Sequence, residues 1–594
     1  MVKLLFLFSV FLFSEFFLIA QNEDMVLVSV NTMKHIRPYD KIDGAGVISI
    51  KAARNEYESF QVAVIASGDK HLENIKVKIS PLSNGIAVIP SENITTYREE
   101  YVFVRNSTPR PQEAPGLFPD PLLPFVDPVK GDTIKPLKLI RGPEGSHYEG
   151  AKYCASLSDI YPGQNNVIWV DVYVPEDAVA GEYKAVLTVT ADKGIKAEMP
   201  LSLTVWDFIL PDIPSHNTHF GHFSSIAGYW KIKGDSKQYK DIEMRFCKEL
   251  ARNRINPPIP GHLLPKVNDN GSLTIIPERH EQLKQYIEDV HLKDFEIPRA
   301  PFMASSSNSK RPIPESQTDP EAIAKTKRYY REYYKYLKDN GWEKGAYVYM
   351  LDEPNYDKDY RQVVNLGRVI KEAVPGIRRL VVEQTYTMDT SWPDINNYVD
   401  IWCPLFSFID RDSINKKLAQ GDEVWSYTAL VQPPHKYHPQ YEKVKDKNAP
   451  YWHIDRPPIV YRIPLWINKQ YNITGLLYWT TTGWYNERGP WHEPWLGPYP
   501  VRYVNGGGLL FYPGKEAGFD GPVSTIRLRN IRDGLEDYEY FTILEKMGQS
   551  DFVKQMVDKI SPEWWDFTTD GDSLLKVREE LANKILELRK RSKD

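Results

Sequence analysis

The sequence predicts two architectures in one chain: an N-terminal β-sandwich, then a (β/α)8 barrel of the TIM type with a C-terminal helical tail. Three observations support this prediction. The chain has 594 residues, roughly four times the length of an ordinary domain. Its first third has an apolar period of two, as half-buried strands do. Its later part alternates strand-like runs with helical patterns, as βα units do.

Composition and charge indicate a globular protein and exclude some partners. The chain is 42% hydrophobic and 26% charged, so it can form a large core. A formal net charge of -5 gives no overall attraction to nucleic acid or to an anionic membrane. Its cysteines, Cys154, Cys247 and Cys403, are too few and too scattered for a disulfide framework or a zinc site. Neither a metal nor another cofactor is predicted.

The first residues have the pattern of an export signal. Lys3 precedes an apolar run from Leu4 to Ala20, which is short for a transmembrane helix and is interrupted by Glu15. We therefore predict a signal peptide over residues 1–20 and a periplasmic, cell-surface or secreted mature protein. No later segment is apolar over enough residues to span a bilayer, so no membrane span is predicted.

Residues 21–210 are assigned to the sandwich domain. Alternating apolar and polar runs, separated by Pro, Gly and Asn clusters, occur at 60–64, 167–174 and 183–190. Residues 116–124 contain too many prolines for a central strand and are predicted to form a long rigid loop. The proline-containing segment 210–214 is a candidate linker to the second domain.

Residues 211–545 are assigned to the barrel, and residues 546–594 to a helical tail that packs against it. Strand-like runs occur at 218–223, weakly near Ile255, and at 297–303, 346–351, 379–384, 399–403, 423–428 and 474–480. The clearest helical patterns between them are at 237–253, 320–338 and 360–373. About eight βα units in this length match a (β/α)8 barrel. A doubly wound parallel sheet is the alternative, but it usually has a Gly-rich phosphate loop, which this sequence lacks.

The strongest chemical feature is a pair of adjacent carboxylates after the fourth predicted strand. That strand runs directly into Asp352, Glu353 and Pro354, and barrel active sites lie at the carboxyl ends of the strands. Because neighbouring side chains of a regular strand face opposite sides, both can serve one site only where the chain turns. Pro354 supplies the break and is expected to hold Glu353 extended. The pair suits an ionised carboxylate beside a protonated general acid; the alternative is a surface turn.

Other polar and aromatic side chains fall at strand ends or in the loop after the eighth strand. The candidate substrate-binding residues are His222, Glu383, Tyr386, Tyr427, Trp479, Trp484 and Glu487. Two of the 15 tryptophans precede Pro211, so the aromatic excess belongs to the second domain. Aromatic faces stack on sugar rings and polar groups hydrogen-bond sugar hydroxyls, so the set favours a sugar pocket. Packing is the alternative for each aromatic residue, and an exposed loop position is the alternative for Glu487.

Other catalytic motifs are absent from the sequence. It contains no Gly-x-Ser-x-Gly, no P-loop and no His-Glu-x-x-His. Gly506, Gly507 and Gly508 lack the Lys-Ser/Thr of a phosphate loop and are predicted to form a turn. His435 and His438 lie in a proline-rich segment and are interpreted as structural. Carboxylate chemistry is therefore favoured over serine, phosphate or metal chemistry.

Several longer runs resemble a known family. They are residues 53–56, 60–62 and 116–124 in the first domain, and residues 351–354, 507–514, 521–528 and 532–540 in the second. On these runs the chain resembles the glycoside hydrolase 123 family and its wider group of DUF4091-type proteins over most of the mature length. The resemblance implies an N-terminal β-sandwich and a (β/α)8 catalytic domain. It also implies an exo-acting, retaining β-N-acetylgalactosaminidase that uses the 2-acetamido group of its substrate.

The resemblance also implies roles for individual residues. Asp352 would orient and stabilise the 2-acetamido group, whose carbonyl oxygen attacks the anomeric carbon to give an oxazolinium-type intermediate. Glu353 would protonate the leaving oxygen and then activate water as a base. Tyr386, Trp479 and Trp484 would wall the sugar pocket. The expected partner is a glycan with a terminal amino sugar. The alternatives are a glycosidase for another terminal sugar and a non-catalytic glycan-binding protein, and no oligomeric state is predicted.

Overall fold

The first domain consists almost entirely of β-strands. In a computed structural model of the chain, the described residues are 23–142, 145–156, 159–305, 312–486, 488–495 and 504–591. The predicted signal peptide lies outside them. The strands of the first domain are β1 (Met25–Val30), β2 (Ile48–Arg54), β3 (Glu56–Ala66), β4 (Lys76–Ile79), β5 (Leu82–Ser83), β6 (Val88–Ile89), β7 (Ile94–Val104), β8 (Gly116–Pro124), β9 (Lys138–Gly142), β10 (Gly145–Glu149), β11 (Asn165–Val174), β12 (Gly181–Thr190) and β13 (Lys196–Ile209).

Two sheets of this domain enclose one core. The first sheet has the order β1-β3-β11-β7-β8, and the second has the order β2-β13-β12-β5-β6 with β4 also paired to β12. Val62 and Val170 from the first sheet and Leu187 from the second meet in one buried apolar cluster. The apolar residues of the period-two pattern therefore lie on the core-facing side of each strand. The predicted N-terminal β-rich domain is confirmed.

The loop predicted at residues 116–124 is wrong, because these residues form β8. The strand lies at the edge of the first sheet and pairs antiparallel with β7, from Tyr97 opposite Pro124 to Val104 opposite Gly116. Proline lacks a backbone N–H, but an edge strand has one unpaired side where that N–H is not needed. The strand is largely buried, because its outer side packs against the second domain.

The second domain combines a parallel sheet with helices. Its strands are β14 (Asn217–His219), β15 (Lys266–Val267), β16 (Leu273–Thr274), β17 (Phe295–Glu296), β18 (Ala346–Asp352), β19 (Arg378–Val382), β20 (Ile401–Trp402), β21 (Glu423–Thr428), β22 (Gly475–Tyr478), β23 (Phe511–Pro513) and β24 (Pro522–Ser524). The helices are α1 (Ile226–Trp230), α2 (Lys237–Arg252), α3 (Pro277–Asp289), α4 (Pro320–Asp339), α5 (Asp357–Ala373), α6 (Arg411–Ala419), α7 (Tyr441–Val444), α8 (Ile459–Arg462), α9 (Pro464–Gln470), α10 (Ile526–Lys546), α11 (Ser550–Ile560) and α12 (Gly571–Arg591).

The parallel sheet curls but has seven strands among the described residues, where eight were predicted. Its order is β14-β22-β21-β20-β19-β18-β17, so β14 and β17 are the two edges. The segment predicted as a strand near Ile255 lies between these edges without strand pairing. Instead, the backbone N–H of Asn256 donates to Oγ1 of Thr218 at 2.7 Å, and Nδ2 of Asn256 donates to the carbonyl oxygen of Asp294 at 3.1 Å.

Prolines also explain the largest error in strand position. The predicted strand at 297–303 is wrong, because β17 ends at Glu296. Pro298 and Pro301 follow and cannot donate to a sheet ladder. By contrast, β21 has the predicted bounds, and α2, α4 and α5 begin and end within three residues of their predicted positions.

The C-terminal helices are more central than the predicted tail. α10 begins at Ile526, well before residue 546, where the predicted tail begins, and most of its residues are buried, including its charged ones. α12 reaches back to the first domain, where Arg578 pairs with Glu56. Among the described residues, no helix combines the length and the apolar character needed to cross a membrane.

Candidate active site

A cleft of about 660 Å³ opens at the carboxyl ends of the parallel strands. Beneath it, Tyr347, Leu380 and Trp425 fill the interior of the curled sheet, so the cleft has a packed floor. The cleft is lined by His219, Gly221, His222, Glu296, Pro298, Arg299, Tyr349, Asp352, Glu353, Val382, Tyr427, Ala429, Leu430, Gln432, Leu477 and Trp479. Both residues of the predicted carboxylate pair are therefore in it.

A bulge in β18 determines where Asp352 points. Tyr349 and Leu351 pair with consecutive residues of β19, which leaves Met350 as the extra residue. In a regular strand Tyr349 and Asp352 would face opposite sides, but the bulge turns both toward the cleft. The hydroxyl of Tyr349 donates to Oδ1 of Asp352 at 2.8 Å, while Asp352 itself is exposed.

Glu353 enters the same cleft through an unusual backbone conformation. Its φ is 41°, so the expectation that Pro354 holds it extended is wrong. Such a conformation costs about 1–3 kcal/mol for a residue other than glycine and persists only where other contacts hold it. The hydroxyl of Tyr427 donates to Oε1 of Glu353 at 2.6 Å, and Nδ2 of Asn355 donates to the carbonyl oxygen of Glu353 at 2.8 Å.

The surroundings of the two carboxylates differ, and those of Glu353 favour its protonated form. Burial raises the pKa of Glu353 above its ordinary value, the hydroxyl of Tyr427 opposes the shift, and the charge of Asp352 adds to it. Neither carboxylate forms an ion pair with Lys or Arg in the described part of the chain. A carboxyl group with a raised pKa keeps its proton closer to neutral pH, as a general acid must. Asp352, by contrast, is exposed and accepts its hydrogen bond from the hydroxyl of Tyr349.

Of the other predicted binding residues, His222, Tyr427 and Trp479 line the cleft. Trp479 stacks on Tyr485, with ring centroids 6.3 Å apart and an interplanar angle of 22°. Gly506, Gly507 and Gly508 form the predicted turn beside Trp479. Gly508 has a φ of 72°, and a Cβ atom there would lie 2.4 Å from the Trp479 ring, so this glycine allows the turn to pack on the indole.

Glu383 and Tyr386 are not among the residues that line the cleft. Glu383 is buried, and its Oε1 accepts a hydrogen bond from the backbone N–H of Gln384 at 3.2 Å. Burial raises the pKa of Glu383 well above its ordinary value, and the charge of Glu353 adds to the shift. The Tyr386 ring packs edge-on to His438, with centroids 5.5 Å apart. Their predicted contact with a sugar does not follow from these positions.

Trp484 is a core residue, and its predicted place in the pocket wall is wrong. Its Nε1 donates to the carbonyl oxygen of Phe511 at 2.7 Å, and its ring packs against Trp230 and Phe246. Sequence position places it in the loop after β22 but does not reveal which way its ring points. Glu487, the remaining predicted binding residue, lies outside the described residues.

Several polar residues of the cleft are not predicted from the sequence, among them Glu296, Arg299, Tyr349 and Gln432. Glu296 is the last residue of β17, so the rule that strand ends carry the chemistry applies to it. Because this strand was predicted at residues 297–303, its end was expected at residue 303 and not at Glu296. Tyr349 could not be predicted for another reason. The bulge that directs it toward Asp352 does not change the apolar pattern of the sequence.

Metal ligation has no candidate among the described residues, since no group of three or more His, Cys, Asp or Glu could hold an ion. His438 has its ring nitrogen Nε2 at 3.1 Å from the carbonyl oxygen of Ile409. His435 stacks on Tyr437, with ring centroids 4.8 Å apart. Each of these two histidines therefore has a local packing contact, as a structural role requires.

Two family models match the chain. The model for the glycoside hydrolase 123 catalytic domain matches residues 283–544, and the model for the glycoside hydrolase 123 N-terminal domain matches residues 33–191. Together they cover more than two thirds of the chain, including Asp352 and Glu353. No curated protein sequence matches the chain.

One of the solved structures that match the chain shows the same fold. A family 123 glycoside hydrolase from Clostridium perfringens, described for glycolipid glycan hydrolysis, has a TM-score of 0.64 at 14% identity, over 96% of this chain and 98% of that one. A GH5 xyloglucanase from Bacteroides ovatus has a TM-score of 0.30 at 10% identity, over 82% of this chain and 98% of that one. The first likeness shows a shared fold, and the second is too weak to support an argument.

Proposed function

Because the chain belongs to glycoside hydrolase family 123 and is a glycosidase, we propose that it removes terminal β-linked N-acetylgalactosamine from glycans, with retention of configuration. The observation that carries this proposal is the convergence of Asp352 and Glu353 in one cleft. The bulge before Asp352 and the positive φ of Glu353 bring adjacent side chains to the same side. Backbone irregularities of this kind are concentrated at functional sites.

In the first step, Asp352 accepts a hydrogen bond from the N–H of the 2-acetamido group. The carbonyl oxygen of that group attacks the anomeric carbon as the glycosidic bond breaks. Glu353 gives its proton to the departing oxygen, so the sugar is left as an oxazolinium ion beside the negative charge of Asp352. The raised pKa of Glu353 supports its role as the proton donor.

In the second step, Glu353 is ionised and acts as a base. It removes a proton from a water molecule, whose oxygen attacks the anomeric carbon and opens the oxazolinium ring. The acetamido group is restored, Glu353 regains its proton, and two inversions give net retention. Because the nucleophile belongs to the substrate, no second distant carboxylate is required.

The cleft and the solved relative support the proposed substrate class. Trp479 offers an aromatic face in the cleft, and amphipathic rings of this kind suit the apolar face of a sugar. The relative from Clostridium perfringens is described for glycolipid glycan hydrolysis. We propose that glycolipid glycans with a terminal N-acetylgalactosamine are among the substrates of this chain.

Two further proposals concern the architecture of the second domain and the export of the protein. We propose that the curled sheet is a (β/α)8 barrel whose second strand position, at residues 255–258, is filled by irregular chain. The bonds of Asn256 to both edges of the sheet support this. We also propose that residues 1–20 direct export, on the basis of their apolar pattern.

Hydrolysis of four aryl β-glycosides tests the proposed function. We expect activity on the N-acetylgalactosaminide and little or none on the galactoside and glucoside, because these two lack the acetamido nucleophile. Asp352→Asn should be nearly inactive, since it removes the charge opposite the oxazolinium ion. Failure on both the N-acetylgalactosaminide and the N-acetylglucosaminide would exclude the acetamido mechanism. Cleavage of the N-acetylglucosaminide alone would keep the mechanism but change the sugar.

A further inference from the structure

Glu296 is a third carboxylate in the cleft, on a different strand from the Asp352–Glu353 pair. It is the last residue of β17 and pairs with Tyr347 of the neighbouring strand β18. Asp352 lies five residues beyond Tyr347, at the carboxyl end of that strand. Glu296 therefore lines the deeper part of the cleft, and the catalytic pair lies nearer its mouth.

The Glu296 side chain is partly buried and lacks hydrogen-bond donors from the described part of the protein. It is 25% exposed, and within the described residues no donor forms a hydrogen bond to its oxygens. The nearest basic atom is Nδ1 of His219 at 3.6 Å, which bonds instead with the hydroxyl of Tyr347 at 2.8 Å. Burial lowers the pKa of His219 to about 4, so this ring is neutral near pH 7. A carboxylate in such surroundings is stabilised when a ligand supplies donors.

Two cationic or potentially cationic groups share this part of the cleft with Glu296. His222 and Arg299 both line it, and their charges oppose the effect of burial, which raises the pKa of Glu296. Nη1 of Arg299 donates to Oγ of Ser305 at 2.9 Å, which leaves further N–H groups of the guanidinium for other acceptors. A carboxylate beside a guanidinium offers acceptors and donors together. Sugar hydroxyls both donate and accept, so they match this combination.

We infer that Glu296, assisted by Arg299, binds the 4-hydroxyl of the terminal sugar and thereby selects its configuration at C4. The inference rests on the proposed function. Glu353 must reach the oxygen on C1, and Asp352 must reach the acetamido group on C2, both toward the mouth of the cleft. The opposite edge of the ring, which carries the 4-hydroxyl, then faces the deeper wall that contains Glu296.

Paired substrates test this assignment. The wild type, Glu296→Ala and Glu296→Gln are assayed with aryl β-N-acetylgalactosaminide and with its 4-deoxy analogue. A hydrogen bond to a charged group contributes about 1.5–3 kcal/mol, so the wild type should lose roughly 10- to 150-fold in kcat/KM when the 4-hydroxyl is removed. Glu296→Ala should lose less than about threefold, because it has no carboxylate to leave unpaired.

Glu281→Gln, an exposed change on α3, is the matched control and should behave as the wild type does. A purely structural role for Glu296 would lower the melting temperature and reduce kcat/KM equally for both substrates, and that result would overturn the inference. If Glu296→Ala does not fold, the test rests on Glu296→Gln, which keeps the size of the side chain. This variant should still weaken the dependence of kcat/KM on the 4-hydroxyl. Inactivity of the wild type on both acetamido glycosides would refute the proposed function itself. An active wild type with an unchanged 4-deoxy ratio in the variants would refute the inference alone.

Discussion

Carboxylates in the cleft and carboxylates around α10 have different partners. In the cleft, Asp352 and Glu353 each accept a hydrogen bond from a tyrosine hydroxyl. Around α10, the carboxylates face guanidinium groups. Asp120 accepts bonds from Arg527 at 2.7 and 2.9 Å, and Asp537 accepts two bonds of 2.7 Å from Arg462.

The hydrogen-bonding partner of a carboxylate determines whether the carboxylate can take part in proton transfer. A bidentate guanidinium holds a carboxylate ionised and fixed, so its charge stabilises the fold and does not take part in proton transfer. A tyrosine hydroxyl supplies one hydrogen bond and no charge, so the carboxyl can gain and lose a proton. The α10 network therefore joins the domains, and the cleft pair is suited to acid–base chemistry. Three substitutions test this contrast.

Glu353→Gln should have the largest effect. Without its proton donor, the enzyme should lose about 10²–10⁴-fold in kcat/KM on glycosides with poor leaving groups. A dinitrophenyl glycoside needs little protonation, so its kcat/KM should fall far less. Steady-state kinetics with both leaving groups measure the difference. An equal loss with both would show that Glu353 is not the general acid.

Asp120→Asn should damage stability rather than chemistry. It leaves Arg527, which is fully buried, without its carboxylate, and breaking one side of a buried pair costs about 3–5 kcal/mol. The midpoint of denaturation should fall, whereas kcat per folded molecule should stay near the wild-type value. The control is Asp241→Asn, which breaks an exposed pair with Lys237 and should change stability by less than about 1 kcal/mol. A stable Asp120→Asn variant would contradict the structural role of the network.

Tyr427→Phe should have the smallest effect, visible in the pH profile. Its hydroxyl favours the ionised form of Glu353, so its loss raises the pKa of that carboxyl further. Glu353 must be protonated to act as an acid, so activity falls as pH rises through its pKa. The alkaline limb of kcat/KM should therefore move to higher pH in Tyr427→Phe. Tyr336→Phe, whose hydroxyl contacts His280 on the outer helices, should leave the limb in place. A limb that moves to lower pH would contradict the assignment.

The position of the carboxylate pair in the cleft could be predicted from sequence because it depends on local features. The apolar run of β18 is clear, and Asp352 and Glu353 follow it directly. Their joint orientation could not be predicted. It depends on a bulge at Met350 and on a positive φ at Glu353, neither of which the apolar pattern specifies.

The remaining errors arise from tertiary context. Prolines argue against a strand at residues 116–124, yet the edge position of β8 tolerates them. Trp484 lies in the expected loop, but packing against Trp230 turns it into the core. The helical tail was predicted from residue 546, whereas α10 begins at Ile526. Its buried charged residues pair with groups from distant parts of the chain, which a local pattern does not show.

The central claim is that the acetamido oxygen of the substrate is the nucleophile, with Asp352 and Glu353 supporting it. The most direct measurement compares kcat/KM for aryl β-N-acetylgalactosaminides whose acetyl group carries zero, one, two or three fluorines. Fluorine withdraws electrons from the carbonyl oxygen and weakens it as a nucleophile. We predict that kcat/KM falls with every added fluorine. Equal rates across the series would contradict it.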